Sequence, residues 1–244
     1  MGEPDLRANR LLSLLPDEDL ARLEPHLTTV QSRMRDVIQP AGVPVQFCSF
    51  PLDAVLSVIV TDADGSAVEM ATVGREGVVG LPGALAHDAT IGEVITQLGG
   101  HDARIDVDAV RAEIDRRGAF FHVLSRYSAA LFSQMAQNVL CVSRHPIESR
   151  AARWLLATQD RVNRDRFAMT QDFLAIMLGV TRPQVTLAAG ALRRAGVIDY
   201  TRGNVSVRDR LRLESMSCEC YRIIRDEFDR LLRDPAHPWV PVGG

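Results

Sequence analysis

The sequence TQDFLAIMLGVTRPQVTLAAGALRRA, residues 170–195, predicts two short helices that meet at a tight turn. Thr170 can cap the first helix, because its hydroxyl can accept a hydrogen bond from a backbone N–H of the first turn. Thr181 and Gln184 have the spacing of a capping box at the start of the second helix. Gly179 lies between the two helices, where the chain needs a residue that adopts a positive φ without strain.

The small and apolar residues of this stretch match a helix-turn-helix. Ala175, Gly179 and Val185 take its small, turn and core positions, with offsets of four and six residues. A small residue is needed at the position of Ala175, because the two helices cross closely at that point. Residues 197–207 then read as a β-hairpin with Arg202 at its tip. Together these parts predict a winged helix, a fold that binds DNA and in other proteins serves only for protein contacts.

The charge of the chain is divided unevenly. All 28 basic residues are arginine, and the net charge is −3. Residues 1–143 contain 11 Arg and 19 acidic residues. Residues 144–212 contain 13 Arg and 6 acidic residues, and residues 213–244 contain 4 Arg and 6 acidic residues. A basic segment in a nearly neutral chain indicates an anionic partner. Because this segment contains the predicted winged helix, double-stranded DNA is the expected partner.

The N-terminal part is expected to be rich in strands after two short helices within residues 5–27. Between residues 30 and 107, short β-branched and aromatic runs alternate with Gly, Pro and Asp. This pattern is typical of an antiparallel sandwich or jelly roll. Asp64-Gly65 has the composition of a hairpin turn between two of these runs.

Residues 119–144 contain neither proline nor glycine and predict one long helix that ends before Pro146. Residues spaced by four and three along it form a heptad seam typical of paired helices. The seam consists of Leu124, Ser128, Leu131, Met135, Asn138 and Val142. We expect it to be a homodimer interface; the alternative is one wide face buried within a single chain.

The order of these parts resembles the Crp/Fnr family of bacterial transcription regulators. The resemblance is strongest in MTQDFLAIMLGVTRPQVTLAAGALRRAGVI at residues 169–198; GREGVVGLPGAL at residues 74–85 also matches the glycine spacing of the family's β-roll. It implies an α+β protein with a β-roll effector domain, like those that bind cyclic nucleotides, at residues 1–118. It further implies a dimerisation helix at residues 119–145 and a winged helix-turn-helix domain with a C-terminal helix at residues 146–244. In such a homodimer a signal at the β-roll controls DNA binding, and RNA polymerase is a further expected partner.

The phosphate cassette of the family is degenerate in this chain. Cyclic-nucleotide-binding members carry Gly-Glu and, several residues later, an Arg that pairs with the cyclic phosphate. Here the corresponding positions are Gly80-Leu81 and Ile91-Gly92, and the neighbouring Glu93 would repel an anion. We expect these residues to line an effector pocket that does not bind cyclic AMP through the usual contacts. The N-terminal cysteine cluster of iron–sulfur members is also missing from the sequence, so the small-molecule effector stays unidentified.

The second helix of the helix-turn-helix is expected to enter the major groove. Arg182 can pair bidentately with guanine, Gln184 with adenine, and Thr186 can touch a thymine methyl. Gln184 is alternatively occupied by the capping box. The residues assigned to phosphate contacts are Thr170, Gln171, Thr181 and Arg202.

The cysteines are too few and too scattered for a disulfide framework. Cys218 and Cys220 alone do not complete a zinc shell. Core packing is favoured for Cys220, on the apolar stripe of one final helix, and less for Cys218. His122 and His145 are interpreted as structural. We therefore expect no metal, no cofactor and no enzymatic activity.

The sequence contains no secretory signal and no apolar run long enough to span a membrane, so a cytoplasmic location is expected. The expected function is that of a homodimeric, sequence-specific transcription regulator that does not respond to cyclic AMP. The alternatives are a regulator gated by another small molecule in the β-roll, a redox sensor or enzyme that uses Cys218 and Cys220, and a winged helix used only for protein contacts.

Overall fold

The computed structural model describes residues 5–86 and 89–233. The chain begins with two short helices, α1 (Arg10–Ser13) and α2 (Asp17–Leu23). Asn9 caps α1, because its side-chain oxygen accepts from the backbone N–H groups of the first turn. Its amide nitrogen donates to the carbonyls of Pro51 and Gly77, each at 2.9 Å. This one buried side chain therefore fixes the start of α1 to β3 and to the turn that follows β5.

Two antiparallel sheets make up most of the N-terminal part. The first sheet has the order β1-β7-β3 and the second the order β2-β6-β4-β5. Their strands are β1 (Thr28–Ser32), β2 (Val37–Gln39), β3 (Phe47–Pro51), β4 (Val55–Thr61), β5 (Ala67–Val73), β6 (Glu93–Leu98) and β7 (Gly100–Asp106). Gly65 has a φ of +84° in the turn that joins β4 to β5, as the Asp-Gly pair predicts. The β-rich N-terminal part is confirmed, and its first strand begins at Thr28, two residues before the expected start of the β-rich region.

Three helices follow in the N-terminal part: α3 (Leu81–Ala86), α4 (Val107–Asp115) and α5 (Ala119–Arg144). Helices α3 and α4 pack against the first sheet, whereas α5 packs against α4 and against β5 of the second sheet. The buried Tyr127 on α5 donates its hydroxyl to the Val78 carbonyl at 2.9 Å, and burial raises the pKa of this phenol. A Cβ atom on Gly77 would lie 2.6 Å from that hydroxyl, so the glycine is needed for the close approach. These contacts bind the long helix to the β-roll of its own chain.

The C-terminal part consists of helices around a small three-stranded sheet of order β8-β10-β9. Its elements are α6 (Ile147–Val162), β8 (Arg166–Ala168), α7 (Gln171–Leu178), α8 (Arg182–Arg194), β9 (Ile198–Thr201), β10 (Asn204–Val207), α9 (Arg210–Met216) and α10 (Cys220–Leu231). The final helix expected from the sequence is present as α10, but Met216, which was expected on the same apolar stripe, belongs to α9. Ser217 is extended, with a ψ of 161°, and separates α9 from α10.

Hydrophobic packing joins the N-terminal and C-terminal parts. Apolar residues of β4 and β6 lie in the same buried cluster as residues of α6, α7 and α8. The indole of Trp154 on α6 donates to the Glu69 carboxylate of β5 at 2.8 Å, and the Gln97 amide of β6 donates to Thr158 at 3.0 Å. These buried polar contacts, made across the junction, hold the two parts in one orientation.

Among the residues that the structure describes, no single helix is long and apolar enough to cross a membrane. Helices α7 and α8 reach that length and composition only as a pair, bent by 103° at the break between them.

Candidate nucleic-acid interface

Helices α7 and α8 meet at the angle expected of a helix-turn-helix. The axis bends by 103° between them. Gly179 lies at the break with a φ of +61° and a ψ of 44°, a left-handed conformation that favours glycine. The backbone N–H of Val180 donates to the Ala175 carbonyl at 3.0 Å, and Thr170 caps α7 by accepting from the Phe173 N–H at 3.2 Å. The sequence prediction of this motif is confirmed.

Helix α8 divides into a buried face and an exposed face. Val185, Ala188 and Leu192 are fully buried and fix the helix to α6 and α7. At its start, the Gln184 side-chain oxygen accepts from the backbone N–H of Thr181 at 2.9 Å and from its hydroxyl at 3.1 Å. The capping box predicted for this helix is therefore present.

The three residues predicted to contact bases lie at the exposed start of α8. Arg182 and Thr186 interact with residues of α7, and Gln184 belongs to the capping box of α8. The guanidinium Nε of Arg182 lies 3.5 Å from the Asp172 carboxylate, and both side chains are well exposed. The Thr186 hydroxyl lies 2.8 Å from the Gln171 side-chain oxygen and 3.0 Å from the Arg182 carbonyl. Gln184 uses its oxygen in the cap. The structure therefore groups these residues on one polar surface.

Strands β9 and β10 form the predicted hairpin, and its tip lies beside the start of α7. Arg202 and Gly203 both have positive φ, 49° and 76°, as in the two-residue turns that match strand twist. The Gly203 carbonyl accepts from the Met169 N–H at 2.7 Å. Tyr200 donates its hydroxyl to the Met169 carbonyl at 2.6 Å, and burial raises the pKa of this phenol to about 12, so it stays a donor at neutral pH. These bonds hold the exposed Arg202 next to the helix-turn-helix.

The helices and hairpin of this region match one known domain. The family model described as a Crp-like helix-turn-helix domain matches residues 149–216. Residues 149–216 are therefore similar to a Crp-like helix-turn-helix domain. The matched range begins in α6 and ends with α9, so it includes α7, α8 and the β-hairpin. None of the curated proteins matches the chain.

Solved structures match most of the chain. A protein described as a transcriptional regulator of the Crp/Fnr family from Eubacterium rectale has a TM-score of 0.68 at 14% identity, over 86% of this chain and 98% of that one. The c-di-GMP-responsive global regulator CLP of Xanthomonas campestris has a TM-score of 0.66 at 13% identity, over 79% of this chain and 99% of that one. FixK2 of Bradyrhizobium japonicum has a TM-score of 0.65 at 16% identity, over 79% of this chain and 98% of that one. The Crp-like domain and the α+β fold of Crp/Fnr regulators, both expected from the sequence, are thus confirmed.

The residues predicted for the dimer seam do not share one exposed face of α5. Leu124 is only 3% exposed and packs in the core of its own chain. The buried Asn138 donates its side-chain amide to the Met70 carbonyl at 3.0 Å. Leu131 is partly buried against two clusters of the same chain. Met135 is half-buried and Val142 is exposed.

Two other apolar side chains of α5 face outward. Phe132 is 70% exposed and Val139 is 73% exposed. Ser128, Phe132, Met135, Val139 and Val142 are spaced by four, three, four and three residues, and we call this set the outer seam of α5. Its spacing is that of paired helices. The outer seam differs from the predicted seam because Leu124, Leu131 and Asn138 already pack against their own β-roll.

The residues predicted for the effector pocket lie around α3 and the start of β6. Gly80 has a φ of +97°, and a Cβ there would lie 2.5 Å from the Phe47 carbonyl. Leu81 is buried at the start of α3 and Gly92 is buried before β6, whereas Ile91 is exposed. A cavity of about 480 Å³ lies elsewhere, between α1, β5, α6 and α10. Arg75, Arg153, Arg161 and Arg225 contribute to its walls.

The structure gathers cysteines that are far apart in the sequence. Cys141 and His145, at the end of α5, lie beside Cys218 and Cys220, at the break between α9 and α10. Cys218 and Cys220 are both buried, as is Cys141. However, His145 belongs to the same cluster, which sequence reasoning missed because Cys141 and Cys218 are 77 residues apart. The detectable signal was the Cys-x3-His pair at the end of one helix together with Cys-x-Cys.

Proposed function

We propose that this protein is a homodimeric, sequence-specific DNA-binding transcription regulator, rather than an enzyme, and that it acts in the cytoplasm. The observation that carries the proposal is the continuous exposed surface formed by α8, the start of α7 and the hairpin tip. A surface of this shape can place a helix in the major groove while the hairpin reaches the phosphate backbone. The arginine excess of residues 144–212 supports an anionic partner.

Within this surface, we assign base recognition to the start of α8 and phosphate contact to its rim. Arg182 can exchange its exposed contact with Asp172 for a guanine edge, since a surface ion pair costs little to break. Gln184 and Thr186 complete the base-reading face. Thr170, Gln171, Thr181 and Arg202 are assigned to phosphates, because they lie at helix starts and at the hairpin tip.

We propose that two copies pair through the outer seam of α5. Phe132 and Val139 are large apolar side chains that a single chain leaves exposed, and their heptad spacing suits a second copy of the same helix. Two-fold pairing then requires an operator with two symmetric half-sites about one helical turn apart.

We propose that cyclic AMP is not the effector. A cyclic phosphodiester needs an opposite charge when it is buried. Leu81 is apolar and buried where the ribose-binding Glu of cyclic-nucleotide-binding members would be expected, and Glu93 adds negative charge nearby. Isothermal titration calorimetry with cyclic AMP tests this; low-micromolar binding would contradict it.

The second candidate function is a regulator that is controlled by a small molecule other than cyclic AMP. The cavity of about 480 Å³ favours it, because the cavity could hold such a molecule. Its walls join the β-roll to α6 and α10, so a ligand there would contact both parts of the molecule. Arg161 is paired with Glu76 at 2.8 Å and Arg10 with Asp229 at 2.9 Å, which leaves an excess of arginine for a small anion. A thermal-shift screen of small carboxylates and phosphates tests this, and the absence of any shift would count against gating at this cavity.

Selection of DNA sequences by the full-length protein tests the proposed function. We expect enrichment of a site with two-fold symmetry, and a measured affinity for it that is much higher than for a scrambled site of equal length. Equal affinity for both sequences would contradict sequence-specific regulation.

A further inference from the structure

The cluster at the end of α5 contains four side chains that can each offer one metal ligand. The sulfur atoms of Cys141, Cys218 and Cys220 and a ring nitrogen of His145 all lie within 4.8 Å of one another. The sulfurs of Cys141 and Cys218 are 3.5 Å apart, and the sulfur of Cys220 lies 3.4 Å from Nδ1 of His145. Three thiols and an imidazole converge here from two separate segments of the chain.

The distances distinguish this cluster from a disulfide and from ordinary core packing. A disulfide needs sulfurs about 2.05 Å apart, whereas the Cys141 and Cys218 sulfurs are 3.5 Å apart and all three thiols are free. The three cysteines form a buried cluster of their own, apart from the larger aliphatic cores. Hydrophobic packing alone therefore gives no reason for three sulfurs to meet beside a histidine.

We propose that Cys141, His145, Cys218 and Cys220 bind a single Zn²⁺ ion. Zinc takes four thiolate or imidazole ligands in a tetrahedron, with Zn–S bonds of about 2.3 Å that place the ligand atoms roughly 3.8 Å apart. The separations of 3.5 Å and 3.4 Å are close to that value, and no two of the four ligand atoms are more than 4.8 Å apart. A complete set of four protein ligands is typical of a structural site, since a catalytic site keeps one position open. A two-iron cluster is disfavoured because it would need its ligands in two pairs on separate metal atoms.

The surroundings of the cluster suit a coordinated ion. Nε2 of His145 lies 3.2 Å from the Glu219 carboxylate, so this nitrogen can donate while Nδ1 faces the metal. The Gln137 amide donates to the Cys220 sulfur at 3.2 Å. The buried Arg150 and Arg153 interact electrostatically with the Cys141 and Cys218 thiols. Since zinc with three thiolates and one imidazole carries a net negative charge, these arginines would offset it.

The position of the site indicates what the ion would hold together. Cys141 and His145 end the long helix just before α6, while Cys218 and Cys220 flank the start of α10. Helix α10 packs along α5, with the Tyr127 and Phe228 rings edge to face at 6.3 Å. One ion would join the end of α5 to the segment that follows the Crp-like domain. We therefore expect zinc to fix the junction between the long helix and the DNA-binding part.

Metal analysis of the purified full-length protein tests the proposal. Wild type, expressed with zinc and desalted without chelator, is expected to contain close to one zinc ion per chain by elemental mass spectrometry. Cys218→Ser is expected to contain almost none. Cys48→Ala is the matched control, because Cys48 is a buried thiol in the β-roll away from the cluster, and it is expected to keep its zinc.

Two further variants keep the test valid if Cys218→Ser does not fold. Glu219 is exposed, so Glu219→Ala is expected to fold normally by circular dichroism and to weaken zinc binding roughly ten- to hundredfold in competition with a chromophoric chelator. His145→Cys supplies a fourth thiolate, and it is expected to retain zinc while the spectrum of the Co²⁺-substituted protein gains thiolate charge-transfer intensity.

Three results would overturn the proposal. The first is apo wild type that fails to bind added Zn²⁺ in the competition assay. The second is a folded Cys218→Ser variant with wild-type zinc content. The third is iron with inorganic sulfide at the site in place of zinc. None of these outcomes affects the proposed DNA-binding surface, which can be measured separately.

Discussion

Replacing Phe132 with glutamate is expected to separate the dimer and leave the single chain folded. The side chain is 70% exposed in the single chain, so the substitution removes little internal packing. Burying a phenylalanine contributes roughly 1.5–3 kcal/mol, and a two-fold interface contains it twice. Taking the exposed 70% of both copies gives about 2–4 kcal/mol, which raises the dimer Kd about 30- to 1000-fold. Opposed glutamates at the seam add to this loss.

Sedimentation velocity over a concentration series measures the change, and a thermal melt checks the fold. Leu211→Glu is the matched control, because Leu211 is 80% exposed but lies on α9, away from the outer seam. We expect the control to stay dimeric and both variants to retain their folded signal. Leu131→Glu is a less selective probe, since Leu131 packs against the core of its own chain. If Phe132→Glu keeps the wild-type dimer Kd, the interface lies elsewhere and the reasoning is refuted.

Three further predictions concern the DNA surface, the turn and the zinc site. Arg182→Ala should lose roughly 1–3 kcal/mol of binding free energy on the selected operator and little on random DNA. Arg202→Ala should weaken binding to both DNAs about equally and reduce the slope of log affinity against log salt by about one. Fluorescence anisotropy measures both affinities, and identical behaviour of the two variants would remove the base-reading role of Arg182. Gly179→Ala should lower the free energy of unfolding by more than Gly196→Ala, because both glycines have positive φ but only the first would place its Cβ 2.9 Å from Val68; equal losses in urea denaturation would show that the Val68 contact is unimportant. Removal of zinc by a chelator should lower the Tm reversibly, and an unchanged Tm after complete removal would contradict a stabilising role.

The helix-turn-helix and the long helix were predictable because their determinants are local. Thr181, Gln184 and Gly179 specify a capped helix and a left-handed turn within a few residues of one another. The bounds of α5 follow from the glycine before it and the proline after it. Local rules of this kind need no knowledge of which distant segment packs against them.

The exposed face of α5 and the cysteine cluster were not predictable, because both depend on distant contacts. Two faces of α5 have heptad spacing, and only the position of the β-roll shows that Leu124 and Asn138 face inward. Cys141 and Cys218 are in contact because the segment between α9 and α10 lies beside the end of α5. In the sequence, the Cys-x3-His pair and the Cys-x-Cys pair are therefore two separate pairs, whereas in the structure their four side chains form one group.

The affinity of the full-length protein for its selected operator, measured against salt concentration beside a scrambled site, tests the central claim most directly. We predict a preference for the operator, and for both sites a steep, linear fall of the logarithm of affinity between roughly 50 and 200 mM salt, because bound arginines displace counterions from the phosphates. The operator should retain its preference throughout that range. Affinity that does not change with salt, or equal affinity for the two sites, would contradict the account.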